Sequence, residues 1–415
     1  MIKRKLYSAL KQHLVQKEMT FLVGPRQAGK TTLMMLLRDD LMKNGQKTIT
    51  LNLDIETDKQ FFQSQAHLIQ RLRLEFGNQK GFVFLDEIQR KENAGLFLKG
   101  IYDSDLPYKF IISGSGAIEL KEKIQESLAG RKRMFDLSTL SFEEFVNFKT
   151  GYAYETRLPE FFRVEQKKNL ELLEEYLSFG GYPRLVLAPT LEEKRAIMND
   201  IYQSYIEKDI ISLLRIKKSE DFSRLLKVLA AQIGRIVHVS ELSRMLGISQ
   251  PTLNEYIWYL QKTFILQKVT PYFRNIRKEI IKTPIFYFND LGLRNYALGL
   301  FGIANDPFDR SFVFQNFVFL WLRALAMDTN VHIHYWRTKQ GAEVDFIIEK
   351  GQDLIPVEAK YQAMKRKEVG RSFTHFIEAY HPQKAVILNL SLNDRSLSPQ
   401  TETVWMPFWG MLEIF

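Results

Sequence analysis

The first residues whose types and spacing could do chemistry form a nine-residue segment. It has the pattern G-x-x-x-x-G-K-T-T and consists of Gly24, Pro25, Arg26, Gln27, Ala28, Gly29, Lys30, Thr31 and Thr32. The two glycines allow a backbone whose N–H groups turn towards an anion, Lys30 can reach phosphate oxygens, and the Thr31 hydroxyl can ligate Mg²⁺. The segment predicts a binding site for a nucleoside triphosphate. The alternative is a glycine-rich turn that merely begins a helix.

Two acids at the end of an apolar run form the second group. The run 81–85 is strand-like, and Asp86 and Glu87 follow it directly. After a phosphate loop, this pattern predicts that Asp86 holds Mg²⁺ through water and that Glu87 polarises the attacking water. Two adjacent acids also occur at ordinary caps and turns, so that interpretation stays open.

Two further candidates come later in the chain. Ser113 ends the apolar run 108–112, where its hydroxyl could hydrogen-bond the γ-phosphate or the attacking water, with Ser115 as second choice. Arg131 could stabilise the transferring phosphoryl group, in its own chain or from a neighbouring subunit. A serine–glycine turn and a solvated basic turn are the structural alternatives.

The elements that must position these side chains alternate between strands and helices. Such alternation predicts an α/β fold with a parallel sheet and the nucleotide at its carboxyl edge. Ser141 and Glu144 have the spacing of a capping box, which predicts that a helix begins after Ser141.

Five strings in this order carry a family resemblance: GPRQAGKTTL, FVFLDEIQ, FIISGSGA, LAGR and LSFEEF. Together they resemble prokaryotic AAA+ type ATPases in which a second, uncharacterised domain follows the ATPase. The resemblance implies ATP and Mg²⁺ as cofactors. It also implies a helical lid whose G-x-P element contacts the nucleotide, and Gly181 and Pro183 match that element. The alternative is a turn that ends a helix.

The segment 221–290 has a helix-turn-helix pattern. Ser240 is the expected cap of the first helix, Gly247 the turn, and two later apolar runs complete a winged helix. From 215 to 283 there are 13 Lys/Arg against 5 Asp/Glu, a net charge of +8. The expected phosphate contacts are the basic residues of the wing, Arg274, Arg277, Lys278 and Lys282. The second helix begins without Arg or Lys, which disfavours base-specific readout, so DNA contact and a pure packing role both stay open.

A third group of chemical residues lies near the carboxyl terminus. Asp345, Glu358 and Lys360 have the D-x12-E-x-K spacing, which resembles the PD-(D/E)xK nuclease core, where two strands bring the two carboxylates to a Mg²⁺ ion. They form a candidate second Mg²⁺ site, although a half-exposed strand shows the same pattern. Gln315 stands where the resemblance leads us to expect a glutamate. A neutral amide is a weaker ligand, so the site is either impaired or only holds nucleic acid.

These patterns predict four domains. They are a P-loop core at 1–150, a helical lid at 151–215, a winged helix at 216–300 and a restriction-endonuclease-like α/β module at 301–415. The 415 residues carry a net charge of +10 and include no cysteine, which excludes disulfides, zinc–thiolate sites and thiol nucleophiles. The amino terminus has no apolar signal region, and the apolar run 312–327 is interrupted by polar residues. We therefore expect a cytoplasmic protein without a membrane span.

The leading functional hypothesis is an ATPase whose nucleotide state controls a winged-helix and nuclease-like region acting on nucleic acid. One alternative is a Mg²⁺-dependent nuclease that uses ATP as a switch. Another is a nucleotide-gated signalling or scaffold protein that contacts no nucleic acid. A homo-oligomer or a protein partner is compatible with each of them.

Overall fold

A computed structural model describes residues 2–115, 127–204, 219–273, 283–303, 307–327 and 329–414. The chain divides into two compact units, which we describe separately. The first unit comprises Met1–Leu140 with Lys262–Ile265, and the second comprises Ser141–Gln261 with Leu266–Phe415.

The first unit is built on five parallel strands. They are β1 (Met19–Gly24), β2 (Thr48–Asn52), β3 (Gly81–Asp86), β4 (Tyr108–Ser115) and β5 (Lys132–Asp136). Its helices are α1 (Leu6–His13), α2 (Lys30–Lys43), α3 (Glu56–Lys59), α4 (Gln65–Phe76) and α5 (Ala94–Asp103). The strand order is β2-β3-β4-β1-β5, and each neighbouring pair is parallel.

The sheet of the first unit is covered on both faces. Every residue of β1 and of β3 is buried, as expected for central strands with helices on either side. Successive residues of β1 enter different cores: Phe21 joins the cluster that contains residues of α4 and α5, whereas Leu22 joins the cluster formed with α1 and α2. The predicted parallel α/β sheet is thereby confirmed.

The second unit begins with helices and ends in a sheet. Its helices are α6 (Phe142–Lys149), α7 (Leu158–Val164), α8 (Gln166–Phe179), α9 (Pro183–Leu187), α10 (Leu191–Ile201), α11 (Ser219–Ala231), α12 (Val239–Leu246), α13 (Gln250–Lys262), α14 (Leu291–Ala297), α15 (Pro307–Leu325) and α16 (Arg371–Tyr380). Its strands are β6 (Leu266–Val269), β7 (Ile285–Phe288), β8 (Val331–Arg337), β9 (Glu343–Lys350), β10 (Asp353–Ala359), β11 (Lys384–Asn389), β12 (Asp394–Leu397) and β13 (Glu402–Pro407).

The predicted capping box is present at the start of α6. The Ser141 hydroxyl accepts from the Glu144 backbone N–H at 3.3 Å, and the Glu144 carboxylate accepts from the Ser141 N–H at 3.0 Å. Two backbone donors at the helix terminus are thus satisfied reciprocally. Helix α6 belongs to the second compact unit, although the sequence pattern grouped it with the P-loop core.

Helices α12 and α13 and the antiparallel pair β6–β7 lie in the predicted winged-helix region. Gly247 ends α12 in the left-handed conformation, with φ of 68°, as the predicted turn requires. The expectation that Ser240 caps α12 is wrong. The helix begins at Val239, two residues earlier than a Ser240 cap requires, because the extended His238 occupies the N-cap position. The basic residues of the wing lie outside the described residues: Arg274, Arg277, Lys278 and Lys282.

The carboxyl-terminal sheet has six strands in the order β12-β13-β11-β10-β9-β8. Strands β10, β11 and β13 are parallel to one another, whereas β8, β9 and β12 run antiparallel to their neighbours. Phe373 and Phe376 of α16 pack with residues of the sheet, including Val344 and Ile387. A further carboxyl-terminal sheet was predicted and is present, but β12 and β13 were not anticipated.

An aromatic cluster joins the helical part of the second unit to its sheet-bearing part. Phe142 has ring contacts to Phe162, Phe317, Trp321 and Phe408 with centroid separations of 5.2–6.0 Å. Trp321 also donates its indole N–H to the neighbouring Glu143 carboxylate at 3.0 Å. The cluster explains why these parts form one compact unit. Among the described helices of both units, none has the length and apolarity needed to cross a bilayer.

Candidate functional site

The glycines of the phosphate loop are required by the local backbone. A Cβ on Gly24 would lie 2.0 Å from the Leu137 carbonyl oxygen, so no larger residue fits there. Gly29 precedes α2 with φ of 96°, and Gln27 has φ of 58°. The loop therefore connects the carboxyl end of β1 directly to the amino terminus of α2, where helix N–H groups favour an anion.

Lys30 begins α2 and is 6% exposed. Its ammonium donates to the carbonyl oxygens of Gly24, at 3.0 Å, and Pro25, at 2.8 Å. Burial lowers the pKa of Lys30 to about 8, although the carboxylates of Glu87 and Asp86 oppose the shift. The cation is held inside the phosphate loop by neutral acceptors alone.

Asp86 is the centre of a small polar network at the carboxyl edge of the sheet. Its Oδ2 accepts from the Thr31 hydroxyl at 2.9 Å, and its Oδ1 accepts from the Ser113 hydroxyl. The same Oδ1 accepts from the backbone N–H of Glu87 at 3.0 Å. The start of α2, the end of β3 and strand β4 thus bring together Thr31, Asp86 and Ser113, which the sequence pattern assigned to one site.

Glu87 lies directly after β3 in a left-handed conformation, with φ of 56°. A non-glycine residue in this region is unusual and points to a functional constraint on the backbone. The Gln89 amide donates to the Glu87 carboxylate. This contact, which the sequence did not suggest, orients the acid predicted to act on water.

Arg4 supports the phosphate loop and was also missed. Its guanidinium donates to the Ala28 carbonyl at 2.9 Å and to the Ser138 carbonyl at 2.7 Å. The loop is thereby tied to the segment that follows β5. Because the bond goes to a carbonyl oxygen 24 residues away, only the folded backbone reveals it. Arg26 lies near enough to Lys30 to lower its pKa, and Thr32 continues the first turn of α2 on an exposed position.

The structure separates Arg131 from the phosphate loop. The Arg131 carbonyl accepts from the Met19 N–H at 2.9 Å, which places it at the beginning of β1, whereas the loop follows the end of β1. Its guanidinium pairs with Asp103 at 2.8 Å. Arg131 and the phosphate loop therefore lie at opposite ends of β1. In this arrangement Arg131 cannot contact a phosphate bound to the loop of its own chain.

Pro183 begins α9 in the second compact unit. The turn before it is fixed by Asp290, which accepts from the Gly181 N–H at 2.8 Å. The predicted nucleotide contact of Pro183 stays a prediction, as does the second-choice role of Ser115.

The carboxyl-terminal carboxylates also meet. Strands β9 and β10 pair Phe346 with Val357, which puts Asp345 beside Glu358. Asp345 accepts from the Gln315 amide nitrogen and from the Ala359 N–H, both at 2.8 Å, and Lys360 donates to Glu358 at 2.7 Å. The structure brings together the residues that the sequence pattern grouped, and Gln315 lies beside them.

The electrostatics of this carboxylate pair differ from those of the phosphate loop. Burial, followed by the charge of Glu358, raises the pKa of Asp345 well above its usual range. Burial lowers the pKa of Lys360, but the Glu358 charge and hydrogen bond outweigh it, so that pKa is raised. In the described residues, no group of three or more His, Cys, Asp or Glu side chains is arranged to hold a metal ion. The second Mg²⁺ site at Asp345 and Glu358 stays a prediction.

Comparison with known protein families gives three matches along the chain. Residues 16–146 match the family described as an AAA domain. This match lies almost entirely within the first unit. Residues 170–303 and 310–409 match two families that are described only as domains of unknown function. The predicted resemblance to AAA-type ATPases is confirmed for the first unit.

Two similar proteins are each described only as an uncharacterised protein. The chain is 27% identical over 351 residues to a protein of Mycobacterium tuberculosis, covering 84% of this chain and 71% of that protein. It is 26% identical over 428 residues to a protein of Haemophilus influenzae, covering 99% and 98%. The second of these similarities extends over both units of this chain.

Solved structures give only distant likenesses. The Aeropyrum pernix ORC1 protein in complex with DNA has a TM-score of 0.32 at 11% identity, covering 72% of this chain and 92% of that one. AMPPCP-bound DnaA from Aquifex aeolicus has a TM-score of 0.29 at 16% identity, covering 63% and 90%. Scores this low carry no argument about ligands or partners.

Proposed function

We propose that the AAA-type domain binds ATP with Mg²⁺ and hydrolyses it, and that the nucleotide state controls the second unit. The observation that carries the proposal is the network around Asp86. It joins a phosphate loop, a helix amino terminus, two hydroxyl side chains and a following acid at one edge of a parallel sheet. Each of these groups has a use in phosphoryl transfer.

The residues present fit a magnesium ion. Thr31 Oγ1 and Asp86 Oδ2 are 2.9 Å apart. A hydroxyl whose oxygen ligates Mg²⁺ can keep donating its proton to a carboxylate that holds the ion through water. Thr31 would bind the ion directly and Asp86 through water. When bound, it would neutralise charge on the phosphates.

The other residues would act on the phosphates and on water. Lys30 would exchange its two carbonyl acceptors for β- and γ-phosphate oxygens, which are stronger partners for an ammonium group. Glu87 would orient the attacking water and accept its proton, while Ser113 would hydrogen-bond the γ-phosphate or that water. Arg131 would act only on the nucleotide of a neighbouring subunit.

ATP turnover by purified full-length protein tests this proposal. Glu87→Gln keeps the size of the side chain but removes the base, so we expect turnover to fall by at least about a hundredfold while ATP binding is retained. Glu92→Gln makes the same change at an exposed position and serves as the control. Equal turnover in Glu87→Gln and Glu92→Gln would show that Glu87 is not the base.

Nucleic acid is the partner that we propose for the second unit. The support is the net charge of +8 from 215 to 283, which suits a phosphate backbone. We expect DNA or RNA to stimulate ATP turnover at low salt, and the stimulation to decline as salt rises. Unchanged turnover together with no binding at low salt would favour the signalling or scaffold alternative. Cleavage of nucleic acid is not part of the proposed function.

A further inference from the structure

The carboxyl-terminal carboxylate pair is closed by side chains of the protein itself. We propose that Asp345 and Glu358 take up no divalent cation in this chain, and that the residue at position 315 decides this. A glutamine there completes a metal-free polar network, whereas a glutamate would open the pair to a divalent cation.

Hydrogen bonds already engage three of the four carboxylate oxygens of Asp345 and Glu358 that a metal ion would need. Gln315 Nε2 and the Ala359 N–H occupy the two oxygens of Asp345, each at 2.8 Å. Lys360 Nζ occupies Glu358 Oε1 at 2.7 Å. Within the described part of the chain, the remaining oxygen, Glu358 Oε2, is buried without a partner. Amide and ammonium nitrogens offer no lone pair to a cation, so they compete with a metal rather than assist it.

The charges lead to the same conclusion. With both carboxyl groups ionised, Asp345, Glu358 and the Lys360 ammonium sum to −1, and the ammonium already serves as a counter-cation to Glu358. Nearby Glu343 does not add a free ligand, because it pairs with Arg337 at 3.0 Å. The affinity of an oxygen site for a divalent cation falls as the count of charged ligands falls. Mg²⁺ or Mn²⁺ would have to displace the Lys360 donor from Glu358 and the two N–H donors from Asp345.

Gln315 is held in a fixed position, which makes it the deciding residue. An ideal Cβ built on Gly234 would lie 2.4 Å from Gln315 Oε1, so the amide carbonyl rests against the Gly234 backbone. The other end of the amide faces Asp345. A glutamate of the same shape would put a second oxygen 2.8 Å from Asp345 Oδ1. That spacing is close to the roughly 3 Å between neighbouring oxygens around Mg²⁺ or a similar ion.

Direct binding of Mn²⁺ to nucleotide-free, full-length protein tests the proposal. Bound Mn²⁺ per chain is compared by electron paramagnetic resonance in the wild type, Asp345→Asn, Gln315→Glu and Gln315→Glu/Asp345→Asn. The phosphate loop is unchanged in all four proteins, so any Mn²⁺ bound there contributes equally and does not affect the differences between them. Gln352→Glu, in the exposed turn between β9 and β10, adds the same charge outside the pair and is the matched control.

We expect equal Mn²⁺ binding by the wild type, Asp345→Asn and Gln352→Glu. Gln315→Glu should bind one additional ion per chain and lose it again in the double variant. A wild-type ion that Asp345→Asn removes would overturn the proposal, because the pair would already be open. A folded Gln315→Glu protein without an added ion would show that position 315 does not decide. If Gln315→Glu does not fold, the comparison of the wild type with Asp345→Asn still decides the first claim.

Discussion

The phosphate loop and the carboxyl-terminal pair each contain a lysine and an aspartate, but the two lysines are held differently. Lys30 is held by the carbonyls of Gly24 and Pro25, whereas Lys360 is held by the Glu358 carboxylate. Burial lowers the pKa of Lys30 to about 8, and the carboxylate keeps the pKa of Lys360 raised. A lysine whose acceptors are neutral carbonyls remains available to an incoming anion, whereas a lysine already neutralised by a carboxylate does not.

The aspartates differ in the same way. Asp86 accepts from the Glu87 N–H and also from the hydroxyl groups of Thr31 and Ser113, whose oxygens can themselves serve as ligands or acceptors. Asp345 receives an amide nitrogen and a backbone N–H, which can only donate. The type of neighbouring atom, rather than the number of carboxylates, separates a site that can accept a cation and phosphates from one that cannot.

The largest expected contrast comes from the same substitution at both aspartates. Asp86→Asn should lower ATP turnover by about a thousandfold, about 4 kcal/mol of transition-state stabilisation, because the magnesium ligand set is damaged. Asp345→Asn should change turnover by less than about threefold, less than 1 kcal/mol. Steady-state ATP hydrolysis of the two variants is the measurement. Similar losses in both would show that the carboxyl-terminal pair takes part in hydrolysis.

A second contrast lies within the second unit, between its buried aromatic cluster and an exposed side chain. Trp321→Ala should destabilise the second unit by about 3–4 kcal/mol, because it empties the aromatic cluster and removes the donor to Glu143. Thermal unfolding followed by calorimetry, with Leu397→Ala at a strongly exposed position as control, measures the loss. The account of the cluster is wrong if both variants unfold at the wild-type temperature.

A smaller effect is expected from Lys109, a second buried lysine of the first unit. Its ammonium donates to the carbonyls of Gln16, at 2.9 Å, and Glu18, and it lies 3.4 Å from His13 Nδ1. Burial lowers its pKa to about 8, with the Glu18 charge opposing the shift and the Lys80 charge adding to it.

The sign of the pH effect follows from that direction. Between pH 8 and 10.5 the unfolded chain keeps the Lys109 proton and the folded chain releases it. The free energy of unfolding should therefore rise with pH in that window, by at most about 3 kcal/mol from this lysine. The contribution of Lys109 is the difference in the free energy of unfolding between the wild type and Lys109→Met, measured by denaturant titrations from pH 7.5 to 10. Parallel curves for the two proteins would refute the assignment.

The smallest effect is expected at the helix cap. Ser141→Ala removes the side-chain half of the capping box of α6 and should cost the second unit about 1 kcal/mol. Ser141→Asp, which can still cap the helix, should restore most of the loss. Equal stability of all three proteins in denaturant titration would mean that the cap is not needed.

Local patterns in the sequence were sufficient for much of the fold and of the nucleotide site. The phosphate loop, the acids after β3 and the Ser141 cap depend on short-range spacing, and the structure shows each at its predicted element. Alternation also indicated β9 and β10, and the resemblance to the nuclease core implied that Asp345 lies beside Glu358.

Contacts between distant parts of the chain could not be predicted in this way. Arg4 reaches Ala28 through a carbonyl oxygen, which has no signature in the sequence. The residue type of Arg131 suggested a contact with the nucleotide of its own chain or of a neighbouring subunit. The register of β5 against β1 puts Arg131 at the opposite end of the strands from the phosphate loop. The short strand β12 is exposed along its whole length, so it lacks the apolar alternation that would have indicated a strand.

The central claim is that the phosphate loop binds ATP with Mg²⁺ through Lys30, and titration calorimetry of full-length protein at millimolar Mg²⁺ tests it most directly. Lys43→Ala, at the exposed end of the same helix, and Lys360→Ala are the controls. We predict one ATP per chain in the wild type and both controls, and at least about a hundredfold weaker binding in Lys30→Ala. No heat of binding in the wild type, or equal affinity in Lys30→Ala, would contradict the account.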